Sequence, residues 1–297
     1  MSPETQPRPL FVAYLLASIP ALVVGVLVMR MSDVPPSLWG QNVAAWAVGT
    51  VLCVVLARPR TSAARPRWAD VAAVLTLAAL AATLLAPGMD GVHRWLPLGP
   101  VRLHAAAVLL PVLIVALDAL SRARGWWTSA LVAAAAMLAL FLQPDAAQAT
   151  AFGAAVVLLL FKGANGSMRL ACLGVVGALA ALTWTRRDPL APVPYVEEIV
   201  ELAASLGAGW AAAGVVSLLL LAVPFFAAGR GDARLVGIAL GAYVAITAAA
   251  PLLGSFPVPV MGYGTSPIIG YLAGLGVCLR AARDPGASTS VARLGQR

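Results

Sequence analysis

Four polar stretches interrupt an otherwise apolar chain of 297 residues, and each carries groups that could do chemistry. Arg94 and Arg102 stand in the first, MDGVHRWLPLGPVRLH over 89–104. A guanidinium is a planar, permanently charged fork suited to two phosphate oxygens, so both are candidate pyrophosphate ligands. Snorkelling to lipid headgroups is the other role open to them. The second stretch, Gln143-Pro144-Asp145, places a carboxylate where two apolar runs meet. A charge inside hydrocarbon is costly, so Asp145 belongs in the headgroup zone or in a wet, protein-lined cavity. There it could act as a base, or hold a loop through backbone hydrogen bonds. The third stretch holds Arg186-Arg187-Asp188 and then Glu197, Glu198 and Glu201. Arg186 could extend an anion site, or pair with Asp188 or the glutamates. The fourth, Gly262-Tyr263-Gly264-Thr265-Ser266, has glycines that let backbone amides approach a phosphate closely, or that form a tight re-entrant turn.

The elements that must position these residues follow from composition. Hydrophobic residues make up 61% of the chain and charged residues 11%, against about 25% charged in soluble domains. The mean hydropathy is +0.90. An all-α, polytopic transmembrane bundle is expected. The net charge of +8 would suit nucleic acid in a soluble protein; in a membrane protein it bears on topology instead, and no nucleic-acid partner is expected. Cys53, Cys172 and Cys278 all lie in apolar runs without metal or redox spacing. His93 and His104 are isolated, and no metal or cofactor is expected.

Apolar runs of spanning length place ten helices at about 10–29, 43–57, 71–86, 105–120, 130–142, 149–161, a seventh ending near 184, 209–228, 235–254 and 267–279. Pro111 is expected to bend the fourth. Residues 196–206 have a helical period, with Val196, Ile199, Val200, Ala203 and Leu206 on one face and glutamates on the other. This segment is too short to span, and reads as an amphipathic interfacial helix. The membrane domain is placed at 10–281, between a cytoplasmic tail at 1–9 and a disordered cytoplasmic tail at 282–297.

Ten spans put both termini on one side. With that side cytoplasmic, every inner segment is basic: Arg8; Arg58, Arg60, Arg65 and Arg67; Arg122 and Arg124; Lys162 and Arg169; Arg230 and Arg234; and the C-terminal arginines. Only Arg30, Arg94, Arg102, Arg186 and Arg187 fall outside, as the positive-inside rule requires. The four polar stretches then share the outer face, and one outward-facing site built from all four is expected.

Taken together these stretches resemble the SEDS family (shape, elongation, division and sporulation; the FtsW, RodA and SpoVE type), as a divergent and shortened member. The run 91–100, GVHRWLPLGP, is similar to that family's G-x-R-R-W-[IL]-x-L-G loop after the third helix. Gln143-Pro144-Asp145 followed by Ala149 resembles Q-P-D-L-G-T-A between the fifth and sixth. Pro257-Val258-Pro259 with 262–266 resembles P-x-P-F-[IL]-S-Y-G-G-S before the tenth, and Leu206-Gly207 the E-E-L-G that enters the eighth. The resemblance implies a multi-pass protein of the bacterial inner membrane, active in peptidoglycan assembly, cell division or cell shape. It implies an outward site for an undecaprenyl-pyrophosphate-linked substrate, lined by Arg94, Arg102, Arg186, Gly262, Tyr263, Gly264 and Ser266. It also implies a penicillin-binding-protein-type transpeptidase as partner, alongside membrane lipid. Members polymerise glycan from lipid II, with a catalytic acid in the loop between the seventh and eighth helices.

Counting back from Leu206 puts Val196 at the acid's position and Glu197 next to it. Glu197, with Asp145, is therefore the catalytic candidate. The family's polar Q-P-S-E-x-x-K falls on His104, Ala105, Ala106, Ala107 and Leu110, so its Glu and Lys are missing here. Ala147 and Gln148 replace its Gly and Thr. The functional readings left open are a binding protein without catalysis, an active peptidoglycan glycosyltransferase, and a lipid or solute transporter.

Overall fold

The computed structural model describes residues 7–58, 67–99, 101–161, 166–186, 188–227 and 232–283. Arg187 and the basic residues Arg60, Arg65, Lys162, Arg230, Arg293 and Arg297 lie outside them, as does most of both tails. Eleven α-helices and one β-hairpin are described: α1 (Pro7–Met31), α2 (Pro36–Leu56), α3 (Arg67–Leu85), β1 (Trp95–Leu98), β2 (Val101–His104), α4 (Ala105–Arg124), α5 (Trp126–Leu142), α6 (Ala146–Phe161), α7 (Gly166–Trp184), α8 (Ile199–Ser205), α9 (Ala208–Phe226), α10 (Asp232–Ala249) and α11 (Thr265–Ala281). Seven of these are long and apolar enough to cross a membrane. Three shorter apolar helices, Trp126–Leu142, Ala146–Phe161 and Thr265–Ala281, complete the ten expected from sequence. The chain is a multi-pass membrane protein. Its exposed large side chains are apolar along the helices, as with Leu131, Val216 and Leu219, because hydrocarbon rather than water faces them.

The best-buried helix is α11, which packs against both α2 and α4. Small residues make this possible. A Cβ on Gly270 would sit 2.0 Å from the Ala107 carbonyl oxygen, and one on Gly274 2.6 Å from Pro111 Cβ. On the other face a Cβ on Gly276 would meet the Cys53 carbonyl at 2.6 Å. Without a hydrophobic force between helices in lipid, such close backbone packing is a main source of association. Pro111 lies inside α4, which continues through it. The three cysteines are free thiols.

Two elements differ from the expectation. Strands β1 and β2 pair antiparallel, with Trp95 opposite His104 and Pro97 opposite Arg102; Gly99, which follows β1, takes a left-handed φ of 63°. The helix expected over 196–206 forms only as α8. Its start is held out of the helix because the Val196 carbonyl accepts from Val258 N (3.0 Å) and the Glu197 carboxylate from Val193 N (2.8 Å). The expected apolar face survives: Ile199 and Ala203 are buried, while Glu201 is exposed.

Candidate functional site

All four polar stretches meet at one end of the bundle around a cleft of about 430 Å³. The Gln-Pro-Asp turn is its keystone. Gln143 donates from Nε2 to the Leu80 carbonyl (3.0 Å) and to Thr83 Oγ1 (2.6 Å), fixing the end of α5 to α3. Pro144 leaves its carbonyl without an intrahelical donor, and Arg94 supplies one. Asp145 caps α6, accepting from Gln148 N at Oδ1 (3.3 Å). His104 does the same for α4, its Nδ1 accepting from Ala107 N at 3.2 Å. That acceptance places the ring's proton on Nε2, which lies 3.2 Å from Asp145 Oδ2. Oδ2 is buried against this ring. Burial alone would raise the Asp145 carboxyl; Arg94, His104 and the Gln148 amide outweigh it and hold it below the usual carboxylate range.

Arg94 is 3% exposed and joins three segments. Its Nε donates to the Gln143 carbonyl (3.4 Å), Nη2 to that of Pro144, and Nη1 pairs with Asp188 at 2.7 Å. In this arrangement it is a clamp, with each side of the fork engaged. Arg102 is different. It is exposed on β2 at the cleft wall, and no described residue pairs with it. Arg186 does not line the cleft; its guanidinium lies over the Phe141 ring, 5.2 Å from the centroid.

The glycine turn is fully hydrogen-bonded within the protein. Gly262 N donates to Val258 O (3.0 Å), Tyr263 N to Tyr195 O (2.8 Å) and Gly264 N to Asn42 Oδ1 (3.1 Å). Gly262 is required here because a Cβ would meet the Val196 carbonyl at 2.4 Å, and it lies behind the cleft rather than in it. Buried Asn42 of α2 clamps the turn from both sides, its Nδ2 donating to Gly262 O at 2.8 Å. Ser266 Oγ accepts from His104 N at 2.9 Å, tying α11 to the hairpin. Tyr263, Gly264 and Ser266 do line the cleft, together with the first turn of α11. The first turn of α11, beginning at Thr265, leaves its leading amides without intrahelical acceptors.

Glu197 is half-buried and lines the cleft. Burial raises its pKa; the hydrogen bonds from the Val193 and Glu197 amides oppose this, and the charges of Asp188 and Glu198 add to it. No cation pairs with it among the described residues. No group of His, Cys, Asp and Glu there could hold a metal ion. Asn42, His104 and Asp188 were not singled out by sequence reasoning as site residues. All three act through partners far along the chain, which no local pattern records.

No protein-family model matches the sequence, and no curated protein matches it either. Solved structures do. The rod shape-determining protein RodA of Thermus thermophilus matches with a TM-score of 0.66 at 22% identity, over 91% of this chain and 96% of that one. A point mutant of the same protein matches with a TM-score of 0.66 at 21% identity. A chain from a structure titled for the coordination of polymerization and crosslinking by a peptidoglycan synthase complex matches with a TM-score of 0.62 at 20% identity, over 91% of this chain and 97% of that one. The fold is that of RodA.

Proposed function

We propose that this chain is a SEDS-type protein of peptidoglycan assembly in the bacterial inner membrane, binding a polyprenyl-pyrophosphate-linked sugar in the cleft. The supporting observation is that the four stretches resembling the family's loops close around one cleft at one end of a RodA fold. Arg102 and the first-turn amides of α11 form its anion-binding side. Arg94 shapes that side by holding the Asp188 loop and the Gln-Pro-Asp turn together. The orientation expected from the arginines makes the cleft outward-facing. Purified protein in nanodiscs is expected to bind polyprenyl pyrophosphate, and Arg102→Ala to weaken this about tenfold, the worth of one charge-assisted contact. Unchanged binding in Arg102→Ala would sink the assignment.

One observation favours catalysis as well. Glu197 is the cleft carboxylate without a cation, and its raised pKa suits a general base. In glycosyl transfer it would take the proton of the acceptor hydroxyl as that oxygen bonds to the anomeric carbon. The bond from that carbon to the pyrophosphate breaks, and Arg102 and the α11 terminus meet the leaving charge. Lipid II polymerisation is the assay, run alone and with a penicillin-binding transpeptidase as partner. Glu197→Gln is expected to lower the rate about 10²–10⁴-fold while leaving lipid binding intact. Binding without turnover by the unaltered protein, with every partner tried, would make it a non-catalytic relative.

A further inference from the structure

Residues 188–194 supply part of the cleft lining, through Asp188, Leu190, Ala191, Pro192 and Val193. Pro189, Pro192 and Pro194 stiffen this segment and take three amide donors from it. Among the described residues, no hydrogen bond joins 189–194 to any residue outside 188–198. Beyond its end the backbone is held firmly: Tyr195 O accepts from Tyr263 N (2.8 Å) and Val196 O from Val258 N (3.0 Å). At its start the polar tie is one side chain. Asp188 Oδ1 accepts from Leu190 N at 3.1 Å, and Oδ2 pairs with Arg94 Nη1 at 2.7 Å. The segment is a strap along the cleft, fastened at this end by an ion pair.

The two members of that pair are not equally fixed. Arg94 is held by the carbonyls of Gln143 and Pro144, in a turn whose Gln143 is wholly buried. The Asp188 side chain is 21% exposed and sits on the strap. If the pair opens, Asp188 is the member that leaves, and its carboxylate passes to water. Arg94 stays at the cleft with Nη1 unfilled. Charge around the cleft gives a reason for opening. Its described lining carries two guanidiniums, Arg94 and Arg102, against three carboxylates, Asp145, Asp188 and Glu197. His104 adds no charge while its Nδ1 accepts from Ala107 N. With Asp188 in place, a pyrophosphate therefore meets a cleft with no positive surplus.

We propose that Asp188 holds, in the ligand-free protein, the place on Arg94 that a pyrophosphate oxygen of the ligand takes, and that this exchange releases the strap. Carboxylate and phosphate oxygens meet a guanidinium at the same short distance, so one can replace the other without moving Arg94. The exchange is non-covalent. It rests on the function proposed above and adds how a cleft closed by its own carboxylate admits an anion.

The test measures binding of polyprenyl pyrophosphate, inorganic pyrophosphate and uncharged polyprenol to the full chain in nanodiscs. Asp188→Asn keeps the size and the acceptor for Leu190 N and removes the charge. It and Asp188→Ala are expected to bind polyprenyl pyrophosphate at least about tenfold more tightly than the unaltered protein, a gain that misfolding cannot imitate. Inorganic pyrophosphate should show the same gain at weaker affinity, and polyprenol none. Glu201→Gln removes an exposed carboxylate that does not line the cleft, and should change affinity by less than about twofold. A spin label at Ala191→Cys, in a chain whose Cys53, Cys172 and Cys278 are replaced, reads the strap. Its motion should increase when the lipid is added, and should already be increased in Asp188→Asn without ligand. Lipid binding that is no tighter in the Asp188 variants, a gain matched by Glu201→Gln, or a label indifferent to ligand would overturn the inference and leave the proposed function standing. A gain confined to inorganic pyrophosphate would overturn the lipid as its source. No binding of polyprenyl pyrophosphate by the unaltered protein or either Asp188 variant would overturn both.

Discussion

At the scale of single residues, the two arginines of the first polar loop have separate tasks. Arg94 is buried in a charge pair with Asp188, and removing one partner of a buried pair leaves the other uncompensated. Arg94→Ala is therefore expected to cost about 3–5 kcal/mol of stability, read as a lowered thermal midpoint in detergent. Arg102→Ala should leave that midpoint unchanged, because the side chain is exposed and unpaired. Equal effects at both would contradict this division. Asp145 gives a pH prediction. Its folded pKa lies below the ordinary value, so its contribution is present above the unfolded pKa of about 3.9 and lost as pH falls through the folded value. Asp145→Asn should thus be less stable than the unaltered protein at neutral pH. The gap should close only below about pH 4; a gap constant from pH 7 to 3 would remove Asp145's charge from the account.

At the scale of elements, the ten apolar helices were legible because each needs a long run that ends in polar or basic punctuation. The Gln-Pro-Asp break was legible for the same reason. The hairpin over 95–104 was not: its strands are four residues each, too short for a period, and their pairing depends on Ala105 N meeting Arg94 O. Nor was the short α8, whose first residues are taken by the loop before α11. The glycine turn shows the limit most clearly. Its sequence signalled close backbone approach, but the neighbour approached is the protein's own Val196 carbonyl. Helix packing supplies the test at this scale. Gly270→Ala and Gly274→Ala force a Cβ into the α4 backbone or Pro111, and should each destabilise by about 1–3 kcal/mol. Gly174 on α7 has open space around it, and Gly174→Ala should be neutral or gain up to about 1 kcal/mol from helix propensity. Similar melting of all three variants would mean that close packing of α11 does not hold the centre.

At the scale of the whole molecule, the two ends of the bundle differ in chemistry. One end gathers the cleft. The other gathers basic side chains, with Arg124 paired to Asp70 (3.0 Å), Arg122 to Asp118, Arg283 donating to the Ala57 carbonyl (2.8 Å) and Arg280 over the Trp68 ring. Arginines near a helix end favour the cytoplasmic side for that end, since translocating them is unfavourable and anionic lipid attracts them. The cleft is then expected to open on the far side, where the lipid-linked sugar proposed above would be met. Single cysteines decide this, in a chain whose Cys53, Cys172 and Cys278 are replaced by serine or alanine. Asp90→Cys lies in the exposed turn beside the hairpin, and Ala123→Cys in the exposed end of α4 at the basic face. A membrane-impermeant maleimide applied to intact cells is expected to label position 90 and not 123, and to label both once the membrane is opened. The reverse pattern would turn the bundle over. The cleft would then face the cytoplasm, and the proposed role on the outer surface would fall while the fold and the geometry of the site remained.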